Sequence, residues 1–221
     1  MRTAVTGAAG FIGSHLCEAL LAAGHTVVGI DSLTEAYGRG HKLANLSGLR
    51  SHPRFRFHVA DVTHPASGEL ICGSDAICHL AGLGGARSLD QHTLEQANIE
   101  SVRAVVDAAA RVGVPRILLA SSSAVYRPRS RPLSEDSELG PVSPYGKSKL
   151  RGEEIARQRT DASGVGLVVV RYFSVYGPRQ RPDMAFARYI QAAQTGAPMP
   201  RFGEGEQRRD FTFVSDIVSG T

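Results

Sequence analysis

Short apolar runs alternate with longer amphipathic stretches along most of the chain. The short runs predict buried strands, at Thr3–Thr6, Thr26–Ile30, Phe55–Val59, Ala76–Leu80, Ile117–Ala120 and Leu167–Val170. Three longer stretches carry the apolar period of helices, at Phe11–Ala23, Thr93–Arg111 and Pro144–Arg159. Because strands and helices alternate, we predict an α/β fold in which a doubly wound parallel sheet is covered by helices on both faces.

The alternation stops after Arg171. The pattern there predicts a helix at Met184–Gln194 and a short strand at Asp210–Val214. We therefore expect two regions, a sheet domain over residues 1–170 and a smaller region over residues 171–221.

The composition narrows the possible functions only slightly. The formal net charge is +4, but there is no basic run with interleaved aromatic residues, so nucleic-acid binding is disfavoured. The three cysteines, Cys17, Cys72 and Cys78, are odd in number and lack metal-ligand spacing, which favours reduced thiols and predicts no metal site. No apolar stretch is long enough to span a membrane, and a predicted strand begins too early to leave room for a signal peptide. We predict a cytoplasmic protein.

Three glycines between the first strand and the first helix predict a nucleotide site. Gly7 permits a sharp turn, Gly10 lets the backbone approach a pyrophosphate, and Gly13 lets the helix pack on the sheet. The helix N-terminus would then offer N–H groups to the phosphates. The alternative is a packed turn without a ligand.

Two carboxylates follow strands on the same side of the predicted sheet. Asp31 ends the second strand, where it could bind a ribose 2′-hydroxyl and repel a 2′-phosphate, which favours NAD over NADP. Asp61 could accept a hydrogen bond from the adenine amino group. The alternatives are a turn-initiating Asp31 and a helix-capping Asp61.

Tyr145 and Lys149 lie four residues apart at the start of a predicted helix and therefore share one face. A nearby ammonium lowers the pKa of a phenol, so that Tyr145 could act as a base. Ser121, Ser122 and Ser123 follow the fifth strand and could bind the reacting oxygen. The alternatives are a surface lysine on an amphipathic helix and ordinary turn serines.

Several motifs occur together and in order. They are the glycine trio, Asp31, His79–Gly82, Ser121–Tyr126, the Tyr145/Lys149 pair and Arg171–Pro178. Together they resemble the extended short-chain dehydrogenases/reductases that act as nucleotide-sugar epimerases and dehydratases. The resemblance implies a Rossmann fold, bound NAD, a nucleoside-diphosphate sugar as substrate, and a homodimer paired through the second and third predicted long helices.

The resemblance also implies roles for particular residues. The implied catalytic residues are Ser122, Tyr145 and Lys149. The implied NAD-binding residues are Gly7, Gly10, Phe11, Ile12, Gly13, Asp31, Ser32, Asp61, Val62, Leu80, Ala81, Gly82, Asn98, Tyr145, Lys149 and Tyr172. The implied substrate-binding residues are Arg87, Ser123, Ser174, Arg181 and Arg209.

Two positions after Ser122 bear on the reaction. The family's dehydratases carry an acidic pair where this chain has Ser123 and Ala124, and its decarboxylases keep a glutamate at the second position. Without these carboxylates, C4 epimerisation is the simplest outcome. The stretches Asp31–Thr34, Lys42–Leu46, His52–Phe57 and Tyr176–Met184 resemble the UDP-glucuronate 4-epimerase branch.

Two alternatives to UDP-glucuronate epimerisation remain open. One is a UDP-glucose-type 4-epimerase or another nucleotide-sugar oxidoreductase, and the other is an NAD-binding module without turnover. Arg127 and Gly82 depart from the usual family residues. Family members also continue well past the stretch that matches Arg209–Asp216, so we expect an incomplete substrate-binding region.

Overall fold

The computed structural model of the protein describes residues 1–84, 90–130, 132–199, 201, 204–206 and 208–221. Six strands form one parallel sheet in the order β3-β2-β1-β4-β5-β6. They are β1 (Arg2–Thr6), β2 (Thr26–Asp31), β3 (Phe55–Val59), β4 (Ala76–His79), β5 (Arg116–Ser122) and β6 (Gly166–Tyr172). This is the strand order of the Rossmann fold, so the predicted fold class is confirmed.

The helices connect the strands and cover both faces of the sheet. They are α1 (Phe11–Ala22), α2 (Arg39–Asn45), α3 (Gln91–Glu95), α4 (Ser101–Val112), α5 (Pro144–Ser163), α6 (Ala185–Thr195) and α7 (Val214–Gly220). The helix predicted at Thr93–Arg111 is interrupted, because a π-helical turn over Gln96–Glu100 separates α3 from α4. No helix within the described residues is long and apolar enough to cross a membrane.

Alternate side chains of each central strand enter different cores. In β1, Ala4 packs in the cluster that contains α4 residues such as Val105, whereas Val5 packs in the cluster that contains Leu16 and Cys17 of α1. A sheet buried on both faces requires nearly continuous apolar strands. This explains why these strands appear in the sequence as short unbroken apolar runs.

The region after β6 packs against α1. Strand β7 (Ser174–Tyr176) pairs in parallel with β8 (Phe211–Phe213). The predicted strand Asp210–Val214 is thus shorter than expected, because Val214 is buried and begins α7. Phe11 at the start of α1 forms a third apolar cluster with Val175 and Val214. The division into two regions at residue 170 stays a prediction.

Candidate functional site

The three glycines form a tight turn between β1 and α1. Gly7 has φ +72°, and a Cβ there would lie 2.8 Å from the backbone nitrogen of Ala81. A Cβ on Gly10 would lie 3.0 Å from the carbonyl oxygen of Gly7, and a Cβ on Gly13 would overlap that oxygen. Only glycine fits at Gly7 and Gly13, as the sequence predicted.

The first turn of α1 offers its backbone to a ligand. Gly10 is the N-cap residue, and no side chain caps the N–H groups that follow it. Uncapped N–H groups at a helix N-terminus suit a pyrophosphate. Phe11 is buried in the third apolar cluster and Ile12 packs against it. These two residues therefore offer backbone groups, rather than side chains, to a nucleotide.

Asp31 lies at the carboxyl end of β2, facing the glycine turn. Its Oδ2 accepts a hydrogen bond from the Ala9 nitrogen at 3.1 Å, and its Oδ1 accepts one from the Leu33 nitrogen at 2.8 Å. Lys42 of α2 also donates to Oδ1, at 3.1 Å. Ser32 is exposed beside this carboxylate. The glycine turn and the Asp31 carboxylate at the end of β2 together fit the adenosine half of a dinucleotide.

Helix α2 contributes two residues that the sequence analysis did not assign. Lys42 pairs with Asp31, and both side chains are less than a tenth exposed. The Asn45 side chain donates to the Ala9 carbonyl at 3.0 Å. The stretch Lys42–Leu46 entered the prediction only through its resemblance to the UDP-glucuronate 4-epimerase branch. Its contacts with Asp31 and Ala9 depend on how the loop after β2 folds back, which the sequence pattern does not reveal.

Asp61 forms a local turn after β3. Its Oδ1 accepts hydrogen bonds from the nitrogen and the hydroxyl of Thr63, at 2.9 and 2.8 Å. Asp61 is exposed, and neighbouring Val62 packs partly against the core. Contact of Asp61 with an adenine stays a prediction.

The segment after β4 is fixed by a buried histidine. The Thr6 hydroxyl lies 2.7 Å from Nδ1 of His79 and accepts a hydrogen bond from the Ala81 nitrogen. Because Ser101 donates its hydroxyl proton to the Ala97 carbonyl, its oxygen is the acceptor for Nε2 of His79 at 3.4 Å. Burial lowers the pKa of His79 to about 3, helped by the positive charge of Lys149.

Asn98 of the π-helical turn holds the next residues in place. Its Oδ1 accepts from the Leu83 nitrogen at 3.0 Å, while its Nδ2 donates to the Leu83 carbonyl at 3.1 Å and to the Ser148 hydroxyl at 3.0 Å. Gly82 has φ +158°, and a Cβ there would lie 2.7 Å from Asn98 Oδ1. Asn98 thus holds Leu83 in place directly after the segment Leu80–Gly82, which was predicted to line the cofactor groove.

The three predicted catalytic residues meet at the carboxyl edge of the sheet. Ser122 ends β5 and shares a hydrogen bond with the Tyr145 phenol. Ser143 caps α5 by accepting from the Gly146 nitrogen at 3.0 Å, which fixes the helix start and places Tyr145 in its first turn. Lys149 follows one turn later, on the same face.

The electrostatics of this cluster depend on burial. The pKa of Tyr145 is raised, because burial outweighs the Ser122 hydrogen bond and the positive charge of Arg181. The lowering predicted from the Lys149 ammonium is therefore not seen in this structure. Burial lowers the pKa of Lys149 to about 8, against the opposing effect of Glu153. Glu153 is fully buried and was not predicted, although it continues the four-residue spacing of Tyr145 and Lys149.

The predicted substrate residues differ in how the fold places them. Arg181 lies with its guanidinium 5.7 Å from the centre of the Tyr37 ring and forms two hydrogen bonds with Asp183, at 3.0 and 2.6 Å. A Cβ on Gly84, after β4, would lie 2.5 Å from Nη1 of Arg181. Arg181 therefore reaches the same edge of the sheet as the catalytic group.

The other substrate candidates are less constrained. Ser123 begins a short 3₁₀ turn directly after Ser122, and Ser174 begins β7. Arg209 is exposed, with Nη1 donating to the Arg208 carbonyl of its own segment. Tyr172, which was predicted to bind NAD rather than the sugar, ends β6, and its hydroxyl lies 2.7 Å from that of Thr221. Arg87 lies outside the described residues, so its predicted role stays a prediction.

Comparison with known proteins gives a family match and named relatives that agree with it. The chain matches the NAD dependent epimerase/dehydratase family over residues 3–221. It is 41% identical to a Bacillus subtilis protein named as an uncharacterized UDP-glucose epimerase, covering 100% of this chain and 71% of that protein. It is 36% identical to a UDP-glucuronate 4-epimerase of Thermodesulfobacterium geofontis, covering 98% of this chain and 69% of that enzyme.

A solved structure has the same fold over the whole chain. It is a UDP-glucuronic acid 4-epimerase from Bacillus cereus in complex with UDP-glucuronic acid and NAD. The TM-score is 0.95 at 38% sequence identity, and the match covers 100% of this chain and 71% of that one.

Proposed function

Since the chain belongs to the NAD dependent epimerase/dehydratase family, we propose that it interconverts UDP-glucuronate and UDP-galacturonate by epimerisation at C4. The observation that carries this proposal is the grouping of Ser122 at the end of β5 with Tyr145 and Lys149 in the first turns of α5. NAD is the cofactor of this family, and the glycine cradle with Asp31 fits it.

In the proposed mechanism, Tyr145 is the base that accepts the proton of the sugar 4-hydroxyl. Burial raises the pKa of Tyr145 above its ordinary value. We propose that Lys149, together with the positive charge that bound NAD would supply, stabilises the phenolate that accepts this proton. Ser122 shares a hydrogen bond with Tyr145 and is positioned to donate one to the same sugar oxygen. Bound NAD would supply the hydride acceptor for C4. After the 4-keto sugar turns over, the hydride would return to the opposite face of C4 while Tyr145 gives the proton back to the 4-oxygen.

The residues beside Ser122 favour epimerisation over elimination. Ser123 and Ala124 follow it in the 3₁₀ turn, and neither carries a carboxylate that could remove a second proton. A 4-keto uronate is a β-keto acid and loses CO₂ readily when its carboxylate aligns with the ketone. We propose that Ser122, Ser123 and Arg181 hold the carboxylate out of that alignment.

The choice of uronate over glucose rests on Arg181. Asp183 occupies the face of the Arg181 guanidinium formed by Nε and Nη2. The end formed by Nη1 and Nη2 keeps N–H donors that suit a substrate carboxylate. Arg87, Ser174 and Arg209 are further proposed contacts to the uronate or the diphosphate. The second candidate substrate is UDP-glucose, favoured by the name of the Bacillus subtilis relative.

The test is turnover of two substrates by the purified protein. UDP-glucuronate and UDP-glucose are incubated separately with protein and NAD, and the products are resolved by proton NMR at the sugar anomeric positions. We expect UDP-galacturonate from the first substrate at a rate at least about tenfold higher than UDP-galactose from the second. Preferential conversion of UDP-glucose would replace the uronate proposal, and the absence of any product would leave an NAD-binding module.

The assembly and location are proposed from the same family. We propose a homodimer paired through α4 and α5, and a cytoplasmic location. Light scattering coupled to gel filtration measures the mass directly, and a mass of one chain at micromolar concentration would contradict the dimer.

A further inference from the structure

Glu153 is a buried carboxylate on α5, one helical turn after Lys149. Its side chain is 0% exposed, and it follows Lys149 by four residues on α5, so the two share one face of the helix. An ionised carboxylate at such a depth is costly unless several hydrogen bonds satisfy it. Its Oε1 accepts from the Ser121 hydroxyl at 2.5 Å and from Nε of Arg171 at 3.0 Å, and its Oε2 accepts from Nη2 of Arg171 at 2.8 Å.

These bonds join three elements at the catalytic edge. Ser121 directly precedes Ser122 in β5, and Arg171 belongs to β6. Arg171 also donates to the Tyr126 hydroxyl at 3.0 Å, and its guanidinium lies 4.9 Å from the centre of that ring. Glu153 is therefore the point at which α5, β5, β6 and the segment after Ser122 are held together.

We propose that Glu153 is a positioning residue for the catalytic pair, whose fixed negative charge keeps Lys149 protonated and whose bond to Ser121 sets the register of Ser122 against Tyr145. The proposal rests on the proposed function for its catalytic meaning. The charge state of Lys149, however, is a property of this chain that can be measured without substrate.

The surroundings of Lys149 explain why such a charge is needed. His79 of β4 is buried and carries no charge near neutral pH, because burial lowers its pKa to about 3. Burial also raises the pKa of Tyr145. Burial lowers the pKa of Lys149, Glu153 is the group that opposes this shift, and the two effects together give a pKa of about 8. The guanidinium of Arg171 is paired with the Glu153 carboxylate, so removal of the carboxylate leaves that positive charge uncompensated.

Burial and hydrogen bonding act on Glu153 in opposite directions. Burial raises its pKa, but the hydrogen bonds from Arg171 and Ser121, with the charges of Arg171 and Arg157, hold its pKa below the ordinary value. Arg157 lies 3.3 Å from Oε2 and is half exposed. Glu153 consequently stays ionised throughout the pH range in which Lys149 titrates.

Lys149 can be observed directly because the chain contains only three lysines, Lys42, Lys147 and Lys149. Protein labelled with ¹³C-lysine gives three ε-carbon signals, which Lys147→Arg and Lys149→Arg assign. The variant Glu153→Gln is compared with Glu154→Gln, which removes the adjacent, solvent-exposed carboxylate of the same helix. Each protein is titrated from pH 6 to pH 10, with and without NAD.

We expect the Lys149 midpoint to fall by about one pH unit or more in Glu153→Gln, as is typical for loss of a nearby opposite charge. In Glu154→Gln it should stay within about 0.3 units of wild type, since exposed charges are screened by water. An unchanged midpoint in folded Glu153→Gln would overturn the proposal. In activity assays the high-pH loss of kcat should move to lower pH by the same amount.

Two further variants keep the test decisive. Glu153→Asp retains the charge, so its Lys149 midpoint should stay near wild type, and a fall as large as that in Glu153→Gln would overturn the electrostatic role. If Glu153→Gln does not fold, the double variant Glu153→Gln/Arg171→Gln removes the buried pair without leaving a lone charge. Its midpoint must also fall. Failure of UDP-sugar turnover would contradict the proposed function and leave these titrations unaffected.

Discussion

Lys42 and Asp31 form a buried ion pair, with Nζ of Lys42 3.1 Å from Oδ1 of Asp31. The carboxylate that was predicted to select NAD is therefore also a structural anchor, because it accepts two backbone hydrogen bonds in addition. The pair places a positive charge within reach of the position expected for the adenosine ribose. Removal of the carboxylate thus does more than delete a hydrogen bond.

Asp31→Asn should weaken the preference for NAD over NADP by about tenfold or more. The carboxylate no longer repels a 2′-phosphate, and Lys42 loses its counter-charge and can attract one. Dissociation constants for both cofactors, measured by calorimetry, give the ratio. Asp75→Asn is the matched control, since Asp75 binds the Arg2 nitrogen just before β4, at the opposite edge of the sheet. An unchanged ratio in Asp31→Asn would exclude this role.

Tyr145→Phe should lower kcat at least about 100-fold while NAD still binds, because only the proton acceptor is removed. Tyr189→Phe, on the exposed side of α6, should retain normal turnover. Product formation by NMR and NAD binding by fluorescence separate the two effects. Near-normal turnover by Tyr145→Phe would contradict the mechanism.

Gly13→Ala should abolish NAD binding and lower the free energy of unfolding by about 2 kcal/mol or more. The added Cβ would overlap the Gly7 carbonyl oxygen, so the glycine turn and α1 must separate. Gly40→Ala is the control, because no atom lies within 4 Å of a Cβ there. An alanine in α2 should be neutral or slightly stabilising. Urea unfolding and NAD titration test both variants, and full NAD affinity in Gly13→Ala would be incompatible with this geometry.

His79 should make the folded protein sensitive to acid. Its pKa falls from an ordinary 6.5 to about 3 on folding, so below pH 6.5 the unfolded chain binds a proton that the folded chain does not. Its contribution to stability is complete above pH 6.5 and is lost as the pH falls toward 3. Between pH 7.5 and pH 5 the loss should be about 2 kcal/mol.

His79→Gln should flatten this pH dependence, even though it lowers stability at neutral pH by removing hydrogen bonds. The surface variant His41→Gln should retain the wild-type slope. Thermal melts at pH 5, 6 and 7.5 provide the comparison. If His79→Gln and wild type lost the same amount of stability on acidification, the buried neutral histidine would not be responsible.

Arg181→Gln should raise the KM for UDP-glucuronate about tenfold, with a smaller effect on UDP-glucose. The loss corresponds to one charged hydrogen-bonding partner, about 1.5 kcal/mol or more. Arg116→Gln, an exposed arginine at the opposite end of β5, is the control. Equal losses for the two substrates would show that Arg181 does not recognise the uronate carboxylate.

Local patterns in the sequence were sufficient to predict the sheet and most of the helices. The glycine turn between β1 and α1 and the Tyr145/Lys149 pair could be predicted because each motif is formed by residues close together in the sequence. The π-helical turn over Gln96–Glu100 was not predicted, since the apolar period on either side continues through it. The π-helical turn lies where Asn98 forms hydrogen bonds with Leu83 and Ser148, and these contacts are not visible in the sequence.

Contacts between distant segments could not be predicted. Lys42 meets Asp31 because the loop after β2 folds back, and Arg171 meets Glu153 because β6 lies beside β5. Neither fact follows from spacing. Glu153 could have been flagged by extending the four-residue interval beyond Lys149, although a glutamate on a helix is usually exposed.

The segment after β6 is fastened to the first helix at several points. Nε2 of His15 lies 3.0 Å from the Pro178 carbonyl, Arg179 pairs with Glu18 at 2.6 Å, and Phe11 packs against Val175. The loop that carries Arg181 is thus attached to α1, the helix whose N-terminus is predicted to bind the phosphates. A substitution that tilts α1 should therefore displace both Arg181 and the helix N-terminus. Sugar specificity and dinucleotide specificity are thus coupled through this helix.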